Sequence, residues 1–372
     1  MFKPRFVEEG RAIARNARKM LRYKRDLLQE DCVEEIEVRI EKLEEAVVDR
    51  DRKAVEKECG ELEKVFGKHI PVPKDASWRE NCEVFLVAIV VAIAVRSYFL
   101  QPFTIPTGSM QPTLNGILAY PTEQEPPNLL VRAFQFAWLG RTWVNVVADE
   151  NETIVNLTEG RRFRFFPYTR IQTERRSYTV SGPRDPIVRA FGILPGKTYK
   201  KGEPIARGYV DTGDHVFVDK LSYNFVHPRR GDVFVFKTTG IRKIEAGLLQ
   251  EGSQYYIKRL AGLPGDTLRI DPPDLYVNGE IPKSYGLRRV MSMKDGYEGY
   301  SNQPGERRAE RFQILGTPAR TFHVPEDSYF ALGDNSYHSF DSRGWGTVPE
   351  RNVTGRGLAV YWPFTSHWGI VR

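Results

Sequence analysis

Residues 84 to 95 form an uninterrupted run of twelve apolar residues, and beyond Arg96 and Ser97 the run continues through Tyr98, Phe99 and Leu100 to Gln101-Pro102. Seventeen residues with one charge near the end sit at the lower limit for crossing a bilayer, so this stretch divides the chain in two. Trp78 before it and Tyr98 and Phe99 after it read as interfacial anchors, and Arg96 can reach back to the headgroups. The run lies too far from the N-terminus to be a cleaved leader. The reading is one transmembrane helix over residues 82 to 101. Lys64, Lys68, Lys74 and Arg79 flank it on the N-terminal side, whereas no Lys or Arg occurs between Arg96 and Arg132. The positive-inside bias then places residues 1 to 80 in the cytoplasm. Residues 102 to 372 fall on the extracytoplasmic face of an inner or plasma membrane.

Residues 8 to 66 are rich in Glu, Lys, Arg, Ala and Leu and contain no Pro, as helices require. Val33, Ile36, Ile40, Leu43 and Val47 alternate spacings of three and four, which places all five on one helical stripe. This predicts an α-helical hairpin with a short coiled-coil seam, ended by Pro71 and Pro73. Ordinary packing of an amphipathic helix on its neighbour and a seam that binds a partner both fit. The net charge of +7 raises the question of nucleic acid, but no basic run is interleaved with aromatics. Nine Lys and Arg residues fall in the first 25 positions, which suits an arm facing an anionic lipid bilayer better. All three cysteines lie in the first quarter, so the rest can build neither a disulfide framework nor a Cys metal site. With no nucleotide motif either, no metal or cofactor is expected.

After residue 205 the pattern changes to short alternating strands broken by Gly, Pro and Asn, at 215 to 218, 232 to 236, 255 to 260, 267 to 270, 275 to 277 and 329 to 331. Asn278-Gly279 marks a hairpin. This part reads as mainly β. Residues 119 to 207 carry aromatics (Phe134, Phe136, Trp138, Trp143) and an arginine cluster (Arg161, Arg162, Arg164) but no evident chemistry.

Just beyond the apolar run stands Pro102-Phe103-Thr104-Ile105-Pro106-Thr107-Gly108-Ser109-Met110-Gln111-Pro112-Thr113-Leu114. Its prolines and glycine fix an extended, turning backbone that can expose the Ser109 hydroxyl and leave its N–H free as an oxyanion donor. In Tyr255-Tyr256-Ile257-Lys258-Arg259-Leu260, strand alternation turns Lys258 to the face opposite Ile257 and Arg259. If that face is the core side, desolvation lowers the amine pKa and makes Lys258 a usable general base. A third block, Gly333-Asp334-Asn335-Ser336-Tyr337-His338-Ser339-Phe340-Asp341-Ser342-Arg343-Gly344, is dense in hydrogen-bonding side chains. It reads either as a polar turn with an Asp341/Arg343 ion pair or as the support that orients a catalytic lysine.

Taken together and in this order, these blocks resemble the bacterial type I signal peptidases, through Ser-Met-x-Pro-Thr, Lys-Arg-x-x-Gly-x-Pro-Gly-Asp and Gly-Asp-Asn-Ser followed by Asp-Ser-Arg. Residues 213 to 220 and 230 to 236 add to the match, and the resemblance covers roughly residues 82 to 118 and 208 to 365. It implies a mainly β, signal-peptidase-like catalytic domain and a membrane-bound serine endopeptidase that removes signal peptides from exported preproteins, cutting after small residues at −1 and −3. Ser109 corresponds to the nucleophile and Lys258 to the base, with the oxyanion hole formed by the Ser109 N–H and the Thr107 hydroxyl. Ser339 corresponds to the serine that holds the lysine amine, and Asp341, Arg343 and Asp334 to its support. Phe103, Ile105, Pro106, Met110, Tyr256 and Ile257 are expected to line the substrate.

Two departures stand out: the helical hairpin replaces a second transmembrane helix, and the insertion at 119 to 207 is longer than the usual connection. A Ser/His pair using His338 is disfavoured, because the lysine context matches in full. A self-cleaving Ser/Lys repressor-type protease lacks a reason for the apolar run. An inactive membrane-tethered scaffold lacks a reason for an intact dyad.

Overall fold

The computed structural model describes residues 5–70, 76–162, 166–241, 254–302 and 314–372. They fall into two compact units, Met1–Val91 and Ala92–Arg372.

Among the described residues before the apolar run, the N-terminal unit carries three helices, Arg5–Lys24, Glu30–Asp49 and Arg52–His69, where a two-helix hairpin is expected. The extra break has a local cause. Arg50 adopts the left-handed conformation (φ 53°) and closes the second helix, and the Asp51 side chain then accepts from the backbone N–H groups of Lys53 and Ala54 to cap the third. The predicted stripe is present: Val33, Ile36, Ile40, Leu43 and Val47 are all buried, packed with Val7, Ala14 and Leu21 of the first helix and Val55 and Leu62 of the third. Burying an apolar stripe, not intrinsic propensity, holds helices of this length together in water.

The apolar run lies in the helix Ala76–Tyr98. Its span of 21 residues, Trp78–Tyr98, has none of its side chains buried in the molecule. At 1.5 Å per residue it is about 31 Å long, enough for a ~30 Å hydrocarbon core. The helix starts before the apolar run does, which removes the shortfall in length. Among the described residues it is the one helix long and apolar enough to cross a membrane.

The second unit is mainly β. Its central antiparallel sheet runs in the order Leu100–Thr104, His215–Asp219, Val353–Trp362, Val233–Lys237, Tyr255–Gly262, Ser328–Leu332, Val348–Pro349, with Gly369–Ile370 also paired to Val353–Trp362. A smaller sheet of Asp274–Val277, Thr267–Asp271 and Thr321–His323 packs its apolar face around Leu268, Ile270, Leu275 and Phe330. All the strands predicted after residue 205 are found, each within two residues of its expected ends.

The insertion folds on itself. Arg141–Val147 and Leu118–Pro121 flank Pro204–Asp211, and Ser177–Ser181, Phe166–Thr173, Glu152–Arg162 and Thr198–Tyr199 form a further four-stranded sheet. They share a core of Val144, Ile154, Ile171, Val180, Ile187 and Ile205.

Candidate active site

The first strand of the central sheet, Leu100–Thr104, delivers the chain into the Ser109 loop. Ile105 is buried, Thr107 is extended, and Gly108–Met110 makes one 3₁₀ turn that carries Ser109. Met110 and Leu114 are fully buried with Val216, Val233 and Val360 and anchor the loop from below. Two glycines allow the tight approach. A Cβ on Gly116 would stand 2.2 Å from the Thr107 carbonyl carbon, and one on Gly213 1.8 Å from the Ile105 carbonyl oxygen.

Lys258 sits in Tyr255–Gly262, opposite Phe234 of the neighbouring strand, and is 4 % exposed. Its Nζ lies 2.6 Å from Ser109 Oγ and 3.1 Å from the Ile257 carbonyl oxygen. Burial lowers the amine pKa from its ordinary 10.5 to about 8; Asp341 and Asp334 oppose the shift and Arg343 adds to it. Desolvation therefore wins over two nearby carboxylates, because each is already neutralised by an arginine at closer range. The Thr107 hydroxyl, exposed, is 3.4 Å from Ser109 Oγ. Lys258 and Thr107 are the hydrogen-bond partners of the Ser109 hydroxyl among the described residues. His338 is exposed on the 3₁₀ turn Ser336–His338 and is not among them.

Two buried ion pairs frame Ser109 and Lys258. Arg343 pairs with Asp341 through Nε–Oδ1 and Nη2–Oδ2, both 2.8 Å, and also donates to Ser336 and to the Ser301 carbonyl. Asp341 in turn accepts from the Gly333 N–H at 3.0 Å. Asp334 pairs with Arg259 by 2.7 and 2.6 Å bonds, and both side chains are buried. The guanidinium is held charged, its pKa raised above the ordinary value by Asp334 despite the burial. Thr113 donates to Asp334 and contacts Tyr297, which ties the far end of the Ser109 loop to this pair.

Arg259 and Asn335 were not singled out from the sequence. The Asn335 backbone N–H donates to the Ser109 carbonyl at 3.2 Å and its side chain to the Gly108 carbonyl at 3.0 Å, so it clamps the Ser109 turn. The sequence signal for the first was an arginine beside the candidate base in an otherwise apolar strand, since a guanidinium buried there requires a carboxylate. Ser339, expected to hold the lysine amine, is buried against Gly333, and its Oγ reaches no hydrogen-bond partner among the described residues.

The expected substrate residues separate into two groups. Phe103, Tyr256 and Ile257 are half-buried and Pro106 is exposed, whereas Ile105 and Met110 lie in the core. Phe103 meets Tyr255 edge-on with ring centroids 5.1 Å apart. Leu100–Thr104 pairs only with His215–Asp219, and Tyr255–Gly262 pairs with Ser328–Leu332 only from Arg259 onward. Among the described residues, both therefore present a free strand edge beside Ser109.

Residues 206–362 match the family model for signal peptidase, peptidase S26. Signal peptidase I of Leptolyngbya laminosa is 34 % identical over 155 residues, 41 % of this chain and 63 % of the relative, so the match spans a little under two thirds of that protein. The signal peptidase I of Pseudomonas aeruginosa is 31 % identical over 208 residues, 48 % of this chain and 68 % of the relative. Signal peptidase I V of Bacillus subtilis is 32 % identical over 143 residues, 38 % of this chain and 72 % of the relative. The S26 match takes in the lysine strand and the polar turn that surround Ser109 in space, and on these findings the chain belongs to the signal peptidase I family.

Proposed function

We propose that this protein is a membrane-anchored serine endopeptidase that removes signal peptides from exported preproteins, with Ser109 as nucleophile and Lys258 as general base. The observation that carries the reading is the 2.6 Å separation of Lys258 Nζ and Ser109 Oγ together with an amine pKa lowered to about 8. At pH 7 roughly one lysine in ten is then neutral, against roughly one in three thousand at the ordinary value.

A precursor segment laid between the free edges of Leu100–Thr104 and Tyr255–Gly262 adds as a strand, and its scissile carbonyl comes to Ser109. Ser109 Oγ attacks the carbonyl carbon as its proton passes to Nζ. The oxyanion that forms is stabilised by the Ser109 N–H and the Thr107 hydroxyl. The resulting ammonium returns the proton to the leaving amine, and water then hydrolyses the acyl-enzyme by the same route in reverse. Small residues at −1 and −3 suit this arrangement, since side chains pointing down from the strand meet Ile105, Ile257 and the core beneath. The span Trp78–Tyr98 anchors the enzyme. By the positive-inside bias, the cations before it favour a cytoplasmic N-terminal unit, with Ser109 outside.

Purified protein and a radiolabelled precursor test this directly. Ser109→Ala and Lys258→Ala should each abolish cleavage, and the double variant should be no worse than either, because the pair acts as a unit. Residual cleavage above a few per cent in either single variant would remove that residue from its role.

A further inference from the structure

The insertion contains one helix that water alone does not explain. Leu129–Leu139, LLVRAFQFAWL, has nine apolar residues among eleven, with Arg132 and Gln135 the exceptions, and none of its residues is buried. A helix apolar on all sides belongs in a core or a lipid phase. Yet Leu130 is 81 % exposed and Phe134 62 %.

The helix is also well held in place. The Asn128 side chain caps its start by accepting from Val131 N–H, and Gly140, left-handed at φ 65°, closes its end. Trp362 Nε1 donates to the Ala137 carbonyl at 2.8 Å, and the Phe364 N–H donates to the Trp138 carbonyl at 2.9 Å. Trp138 lies 4.7 Å from Phe364, which touches Trp368, so a rigid aromatic patch continues from the helix onto the C-terminal segment. A rigid, exposed apolar patch of this size marks an interaction surface.

We propose that Leu129–Leu139 lies in the headgroup boundary of the lipid bilayer and gives the catalytic unit a second membrane contact, an inference that rests on the anchoring read above. Three observations favour lipid over a protein partner. The compact unit that carries the helix starts at Ala92, inside the apolar span, so a bilayer is already attached to it. It is also close: Leu100–Thr104 pairs with His215–Asp219, His215 stands opposite Trp362, and Trp362 holds Ala137. Those steps place the helix within roughly 30 Å of Leu100, just past the span. Finally, the patch is Trp- and Phe-rich with a single charge, the composition of an interfacial belt. At eleven residues, about 16 Å, the helix is too short to cross.

Nitroxide accessibility in the full chain tests this, with Cys32, Cys59 and Cys82 replaced by Ser and one label per variant, reconstituted in phosphatidylcholine–phosphatidylglycerol vesicles. Val90→Cys reports the span, Leu130→Cys and Phe134→Cys the helix, and the exposed Glu174→Cys water. Labels at 90, 130 and 134 should all favour oxygen over a water-soluble nickel chelate, several-fold relative to 174. If 90 is in lipid while 130 and 134 match 174, the second contact is refuted and the anchor stands. If 130 and 134 are shielded from oxygen and nickel alike, protein covers the helix and the proposal fails. If 90 itself reads as aqueous, the anchor fails and the second contact with it.

Discussion

Replacing Asp334 by Ala would leave the Arg259 guanidinium buried with its main counterion gone. In the intact protein the pair is bidentate, and neither side chain reaches solvent, with 1 % and 0 % of the two side chains exposed. The remaining partners of Arg259 are the Gly231 carbonyl at 2.7 Å and weaker contacts to Thr113 and the Arg372 carbonyl. None of them offers the close bidentate carboxylate that Asp334 presents to the guanidinium. Removing one member of such a buried pair costs about 3–5 kcal/mol, because the other charge stays desolvated. At about 2 °C per kcal/mol for a domain of this size, Tm should fall by roughly 6–10 °C. Calorimetry in detergent micelles reads this. The control is Asp149→Ala, whose partner Arg176 is half-exposed and which should cost at most about 1 kcal/mol. Arg259→Met with Asp334→Leu should recover most of the loss, since a neutral pair leaves no stranded charge. A drop below about 1 kcal/mol in Asp334→Ala would refute the reasoning.

Thr107→Ala should lower kcat by roughly tenfold to a thousandfold with KM little changed, as expected of a donor engaged mainly in the transition state, and Thr107→Ser should restore it. Asn335→Ala removes the 3.0 Å bond to the Gly108 carbonyl; kcat should fall while thermal stability changes by no more than about 1.5 kcal/mol. Gly333→Ala would push a Cβ to within 2.1 Å of Ser339 Oγ and 2.5 Å of the Ser109 carbonyl, so it should cost on the order of a hundredfold in rate by displacing Ser109. An active Gly333→Ala enzyme would mean that this contact does not set the position of Ser109.

The sequence makes the central sheet and the chemistry of Lys258 legible for a local reason. Strand alternation alone separates the face of Lys258 from that of Arg259, and the apolar residues on either side foretell burial. What lies 75 residues further along the chain is not local, so the Asp334 partner of Arg259 stays hidden until the strands are paired. The break at Arg50–Asp51 is missed for a different reason. Its signal is a single capping aspartate in a stretch otherwise rich in helix formers, and the left-handed Arg50 lacks the usual glycine. The insertion is opaque because its apolar residues serve two surfaces. Ile154 and Ile171 build a core, while Leu130 and Phe134 face outward, and composition does not tell the two apart.

The central claim is that a neutral Lys258 amine takes the Ser109 proton, and the pH dependence of kcat/KM for precursor cleavage tests it most directly. With the amine pKa lowered to about 8, the rate should rise tenfold per pH unit below that value and level off above it. Lys258→Arg should be inactive at every pH, since guanidinium does not give up its proton, and His338→Ala should keep the whole profile. A rising limb centred near the ordinary histidine value of about 6.5, lost in His338→Ala and retained in Lys258→Arg, would contradict the account.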